Sequence, residues 1–587
     1  MRRIITVVFV LALAWIGALV QSGQQIGLDE VEFFRATRWI SQGHLPFTGF
    51  WEHHAPLQWF LFAPVAFFAN GGGAGSIVIM RWAQLPLWIA SLWMLVVLAR
   101  RAGVQACGWT IALLLLLLSP TFVQRAVEYR VDVPGNLFFV GAFFTIARRA
   151  SRWRWISFGA LMSLAVLANM RLAPVVVFAG ALILFWRPEE RRWRWNPGAM
   201  WMGAGIAVVA AVLLGYLAAT SSLDAFMRGV VDYNRLSNLV KTASTPADAL
   251  FLPLWTLDIA GMAFWIIALG GIGLALRDFR QPGPLQIASL LVIAGILATI
   301  PLEAHYDYHL QNAWLFAVPL VALAISRFER PQWRSLIVAV GIVALVVDIA
   351  RVAPGFGAGM RYQNAIMTAA DRLSEKGDTV FDGTGYALRR RPAYRYWFLA
   401  TGVRFFAGRR IIPPYDAPQM AAAPPAAVIT DYRLLLYMQM FPRLASYTAR
   451  HYVPMYRNLW IPGMTASIGP APVQIVWTAP RGGRYDVWAS DLLAKHPWFH
   501  KPFDYVRTTG SRSALFEIPL QRLPPFDGAS LEWRVDGRPI PPGTRSLDLK
   551  KGARVELKAH APVAAGVLLV PHGVTTLCIA PEEEMLF

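Results

Sequence analysis

Long apolar stretches separated by short polar loops fill the first 351 positions of the chain. Runs fall at roughly 4–20, 57–70, 82–99, 107–123, 133–147, 156–170, 172–186, 198–220, 252–276, 284–302, 311–326 and 335–351. Near-continuous apolar runs of this length predict helices that cross a membrane, since about 20 residues span the hydrocarbon layer. Arginines punctuate alternate gaps: Arg100-Arg101, Arg148 to Arg154, Arg187 to Arg194, Arg277 to Arg280 and Arg327 to Arg334. Loops rich in arginine stay in the cytoplasm. The run at 57–70 alone breaks the alternation; it follows Pro56, ends at Gly71-Gly72-Gly73 and is short for a span. Read as a re-entrant or interfacial segment, it leaves about 11 spans, with the N-terminus inside.

The opening Met1-Arg2-Arg3 and the run after it read as a retained span, because polar Gln21 to Gln25 offers no small-residue cleavage site. The odd span count places 352–587 outside the cytoplasm. That tail has no further run long enough to cross. Thr379-Val380-Phe381-Asp382-Gly383 and Ala427-Val428-Ile429-Thr430-Asp431 predict buried strands that end in turns, giving a mixed α/β portion over 352–469. Alternation in Arg554-Val555-Glu556-Leu557-Lys558, and the apolar stretch Val567 to Val570, predict a β-rich module over 470–587, a β-sandwich.

Composition agrees with a polytopic membrane protein: 56% of the 587 residues are hydrophobic and 15% charged, against about a quarter charged in soluble chains. The formal charge of +20 does not point to nucleic acid, because much of the excess sits in the loops that positive-inside bias fills. Many of the 24 Trp residues stand at run ends, as interfacial anchors do. Only two cysteines occur, Cys107 and Cys578, which excludes a cysteine metal site.

Four ionisable clusters fall in loops on the extracytoplasmic side. Asp29-Glu30 opens a helix running through Ile40 and stopped by Gly43, modestly amphipathic and expected to lie along the membrane surface. An N-terminal acid there serves either as a helix cap or as chemistry. Glu128, Arg130 and Asp132 precede the span at 133–147; charge at that depth needs a partner or a cavity. Arg171 stands alone in a tight turn, placed to snorkel to headgroups or to hold a phosphate. His305, Tyr306, Tyr308 and His309 form the fourth, a polar-pocket lining or ordinary interfacial belt. Glu52-His53-His54 could add a ligand, His54, to a divalent ion (Mg or Mn) held by Asp29 and Asp132, although no spacing compels it.

In their order these residues resemble the GT-C superfamily of integral-membrane glycosyltransferases, in the bacterial branch of protein mannosyltransferases and aminoarabinose transferases. The matching features are Asp29-Glu30, the helix through Ile40, His54-Ala55-Pro56-Leu57, Ser119-Pro120, Arg130 and Asp132-Val133-Pro134, over about residues 1–330. Arg171 stands where the family often has a lysine, and His305 to His309 departs from an Arg- and Tyr-rich motif. The resemblance implies transfer of a sugar from a polyprenyl-phosphate donor to an extracytoplasmic acceptor (glycolipid, glycan or protein) at a bacterial inner membrane, with inversion. Asp29 and Asp132 would be catalytic; Glu30, Glu128, Arg130, Arg171 and the 305–309 cluster would bind substrate. Three other classes remain open: a secondary transporter, for which Asp258 and Asp348 are the acids well within spans, a lipid-linked glycan ligase or polymerase, and a binding or scaffolding protein whose external tail does the work.

Overall fold

The computed structural model describes residues 2–23, 25–147, 151–188, 190–240, 258–277, 283–299, 310–328, 330–353, 357–456, 458–490, 493, 516–519, 530–574 and 576–579. Two compact units divide between Arg361 and Tyr362.

The first unit is helical. Among the described residues, five helices are long and apolar enough to cross a membrane: Ile4–Gln21, Ala74–Arg101, Ala199–Ala219, Ile259–Leu276 and Gln332–Val352. A sixth is added if Ala106–Leu117 and Pro120–Ala126, bent by 75° at Ser119-Pro120, count as one. Five shorter apolar helices, among them Leu57–Phe68, Asp132–Ile146 and Gln311–Ser326, and Arg152–Ala168 join them in the bundle. At 1.5 Å per residue, the 12 residues of Leu57–Phe68 reach only about 18 Å.

Gln311–Ser326 is the axis of this unit. Nearly every residue from Gln311 to Val321 is buried, polar Gln311 and Asn312 included. A helix apolar on all sides must be wrapped by others, and glycines bring them close. A Cβ on Gly271 of Ile259–Leu276 would collide with Leu320 O, and one on Gly108 of Ala106–Leu117 with Ala322 O. Such notches let backbones approach where lipid supplies no hydrophobic drive. Asp258 lies at a helix start: Gly261 N–H donates to its Oδ1 (2.7 Å), while Ser119 Oγ (2.6 Å) and Thr121 N–H (3.0 Å) donate to Oδ2. Asp348 accepts Trp15 Nε1–H at 2.9 Å. Both acids fasten helices to one another.

The bundle has two chemically distinct ends. Arg101, Arg154 and Arg191 line a cavity with Pro284 and Trp186 at one end. Asp132, Asn169, Arg171, Thr299 and Asn312 line a cleft at the other. Single helices join the two, for instance Asp132–Ile146, whose first residue lines the cleft and whose last lines the arginine-rimmed cavity.

The second unit is α/β and β-rich. A seven-stranded mixed sheet runs in the order Phe516–Pro519, Thr576–Ile579, Tyr452–Tyr456, Leu459–Pro462, Ala427–Ile429, Thr379–Asp382, Arg391–Pro392. Two antiparallel four-stranded sheets share one core, in which Ala466, Tyr485, Leu547 and Val567 of one meet Trp477, Trp533, Val555 and Leu557 of the other. Arg554–His560 alternates as its sequence does, Val555, Leu557 and Ala559 inward. Ala565–Pro571 is buried on both faces from Ala565 to Val570.

The glycine contacts make a direct prediction. Gly271→Val should push Ile259–Leu276 off the axial helix and cost about 1–3 kcal/mol, read as a lower melting temperature in detergent. An unchanged melting temperature would contradict this packing.

Candidate active site

The helix Leu28–Ser41 begins after Gly27 and ends before Gly43, which takes φ +85°. Glu30 through Trp39 are all buried, so the helix does not show the exposed polar face expected of an amphipathic surface helix: its charges find partners inside. Arg38 donates to Asn70 Oδ1 (2.9 Å), the Arg35 guanidinium lies over the Trp39 ring (5.0 Å), and Thr37 shares a hydrogen bond with Tyr129 (2.7 Å).

Glu30 makes the firmest of these bonds. Arg81, on Ala74–Arg101, donates Nε to Oε1 (2.7 Å) and Nη2 to Oε2 (2.6 Å). Tyr129 N–H donates to Oε1 and Gly27 N–H to Oε2, each at 2.8 Å. Both side chains of the pair have no exposed surface. Every side of this carboxylate is engaged, so Glu30 pins the 127–131 loop and the start of its own helix to Ala74–Arg101.

One residue earlier the geometry changes. Arg130 is a buried clamp: Nη1 donates to Asp29 Oδ2 (3.0 Å) and Glu128 Oε2 (3.2 Å), and Nε to Asp132 Oδ2 (3.0 Å). Its backbone is fixed by Gln84 of Ala74–Arg101, which accepts Arg130 N–H (3.1 Å) and donates to Arg130 O (2.8 Å). Glu128 also accepts from Arg125 (2.8 Å). Asp132 accepts Asn169 Nδ2 at 2.8 Å, and Gly135 permits this, since a Cβ there would stand 2.9 Å from Asn169 Cβ. Asn169 in turn accepts Arg171 N–H (3.1 Å) in the tight turn Met170–Leu172, whose arginine side chain is exposed. Asp29 keeps 29% of its side chain exposed, against 2% for Glu128 and 6% for Asp132.

The structure thus unites Asp29, Glu128, Arg130, Asp132 and Arg171 in one chain of contacts. His305, Tyr306, Tyr308 and His309 lie outside the described residues; Asn312, just after them, lines the cleft with Arg171. Arg81, Gln84 and Asn169 join this network although they were not among the expected site residues. A lone arginine at the head of an apolar run was the signal for Arg81, since a buried charge requires a partner.

Beside this cluster a second one forms. Glu32, Glu52, His53 and His54 bring ligand-type atoms within 4.8 Å of one another. Burial pushes the Glu52 carboxyl up to about 7, with His53 pulling the other way. Burial lowers both histidines, His54 to about 3 with the Arg171 charge adding to the effect. Of the residues expected to hold a divalent ion, only His54 belongs here. Asp29 and Asp132 close on Arg130, and Asp132 on Asn169 as well, which does not fit Mg or Mn held between them.

Two outcomes test this arrangement. Glu30→Gln strands the Arg81 guanidinium without a counter-charge and should cost about 3–5 kcal/mol, seen as lost folded protein or a lower melting temperature; wild-type melting would refute the brace. Burial pushes Glu128 up to about 7, against the pull of Arg130 and Arg125, with Glu30 and Asp29 adding to the rise. Arg81 also faces it. A carboxyl raised by folding holds its proton more tightly in the native state. Its contribution to stability is full below the ordinary value of 4.5 and is lost as pH rises to about 7. Glu128→Gln cannot titrate, so its melting temperature should gain on wild type over that window and hold the gain above it; a gain on acidification contradicts the assignment.

No family model matches the sequence, and no curated protein matches it. Solved structures do. The chain is similar to ArnT from Cupriavidus metallidurans bound to undecaprenyl phosphate, with 15% identity, 81% of this chain and 92% of that one covered, and a TM-score of 0.47. The same protein in the apo state gives 13%, 81%, 92% and 0.45. An oligosaccharyltransferase from Archaeoglobus fulgidus, in complex with Zn and sulfate, gives 12% identity, 76% and 71% coverage and a TM-score of 0.41.

Proposed function

We propose that this multi-pass membrane protein is a glycosyltransferase that moves a sugar from a polyprenyl-phosphate donor to an extracytoplasmic acceptor. The observation that carries the proposal is Asp29. It is the one acid of the Arg130 clamp with a substantially exposed carboxylate, and a line of contacts leads from it to the exposed Arg171. A carboxylate and an arginine whose backbone is held on the same line of contacts suit a reaction that needs a proton acceptor at one point and an anion stabiliser at another. The ordered sequence motifs around Asp29, Ser119-Pro120 and Asp132 support the sugar and lipid-phosphate assignment.

In this reading Asp29 aligns the acceptor hydroxyl and takes its proton late, as the acceptor oxygen bonds to the anomeric carbon. The bond from that carbon to the phosphate oxygen breaks, and its electron pair leaves with the lipid phosphate. Arg171 stabilises the departing charge. Attack opposite the leaving group inverts the anomeric carbon. Arg130 holds Asp29, Glu128 and Asp132 in register, and Asp132 and Asn169 fix the turn that carries Arg171. Glu30 braces the frame. The arginine-rich end of the bundle faces the cytoplasm of a bacterial inner membrane, so the cleft opens on the other side.

Asp29→Asn keeps the size and the contact to Arg130 but cannot take a proton. Transfer from labelled polyprenyl-phosphate sugar should fall by about 100-fold or more while the melting temperature stays near wild type. Undiminished transfer by this variant overturns the proposal.

A further inference from the structure

We infer that Glu32, Glu52, His53 and His54 form a binding site for one divalent transition-metal ion of the zinc class. The inference rests on geometry and burial and stands whether or not the glycosyl-transfer reading holds.

The ligand atoms converge from two segments. Glu32 comes from Leu28–Ser41, and the other three from the loop that precedes Leu57–Phe68. His53 Nδ1 lies 3.3 Å from Glu32 Oε1 and 3.4 Å from Glu52 Oε1; His54 Nδ1 lies 3.8 Å and 3.0 Å from the same two oxygens. A tetrahedral ion with bonds of about 2.0–2.1 Å sets its ligands about 3.3–3.4 Å apart. The four separations bracket that edge.

The local chemistry asks for a cation. Glu32 and Glu52 expose 2% and 0% of their side chains. Glu52 Oε2 and His53 Nδ1 are buried and make no hydrogen bond among the described residues. The Glu32 carboxyl stands beside Glu52, and the two can share a hydrogen bond only if one keeps a proton. Glu52 Oε1 accepts His53 N–H (2.8 Å) and shares a hydrogen bond with His54 Nδ1 (3.0 Å); a metal ion would replace the second of these and engage both carboxylates and both imidazoles together. Two imidazoles in the set select against Mg²⁺, which takes oxygen ligands and water.

The surroundings hold these ligands in place. The His53 ring stacks on Trp51 (5.2 Å, 19°) and meets Tyr233 edge-on (5.0 Å). Asn234 Nδ2 donates to His53 O at 2.7 Å. Phe33 packs edge-on against His54 (5.1 Å). Gly229 lets its segment close over Glu52, where a Cβ would stand 2.6 Å from the carbonyl oxygen.

The test uses the full chain in detergent, stripped with chelator and then titrated with Zn²⁺, Mg²⁺ or Co²⁺. Expected are one zinc per chain by elemental analysis, a melting temperature that rises with Zn²⁺ and not with Mg²⁺, and visible absorption of tetrahedral Co²⁺. Glu52→Gln and His54→Asn should each weaken zinc binding at least about 10–100-fold. Asp29→Asn should keep its zinc even where transfer is lost, which separates failure of this site from failure of the proposed activity. Zinc content no higher than in His54→Asn, or an equal response to Mg²⁺, overturns the inference and leaves a proton shared by the two acids. Should a ligand variant not fold, the Co²⁺ spectrum of the wild-type chain still decides, because octahedral or absent absorption contradicts the site.

Discussion

The bidentate pair of Glu30 with Arg81 is the constraint on which the candidate site depends. Two charges with no exposed surface would be expensive apart, and they are retained because each satisfies the other while two backbone N–H groups complete the carboxylate. Through that pair the helix Leu28–Ser41, the span Ala74–Arg101 and the 127–131 loop meet at one point. Arg130 and Asp29 take their places from the same junction, and Gln84 fixes the backbone of the clamp from the same span.

Asp29 and Glu30 show how far sequence could see. Their position at a helix start was legible, and so was the grouping of Arg130, Asp132 and Arg171 with Asp29. The division of labour was not. Successive residues on a helix point about 100° apart, so one acid turns to Arg81 and the other to Arg130. Periodicity also misread the setting of this helix, because a pattern of apolar and polar positions does not reveal that polar positions pair internally. Arg81 carried a signal, a lone charge at the head of an apolar run, but not the name of its partner: Arg81 and Asn169 acquire their roles only from residues 51 and 37 positions away.

The bundle was easier to read than its count of crossings. Apolar runs fixed the helical class, and the arginine loops anticipated an end rimmed by Arg101, Arg154 and Arg191. Leu57–Phe68 has 12 residues and Ala74–Arg101 has 28, a spread of lengths that hydropathy along the chain does not convert into a number of crossings. In the second unit, Arg554–His560 announced itself by alternation, whereas the burial of both faces of Ala565–Pro571 reflects packing that a period of two does not encode.

The seven-stranded sheet has a consequence for how the chain matures. Its members Thr379–Asp382 and Ala427–Ile429 are made early, but Phe516–Pro519 and Thr576–Ile579 come from the far end of the sequence. Until synthesis is nearly finished, Tyr452–Tyr456 presents an unfilled strand edge, a template for pairing with foreign chains. Pairings so distant along the chain form slowly. The second unit therefore closes last, and the interval before closure is when it most needs protection from aggregation.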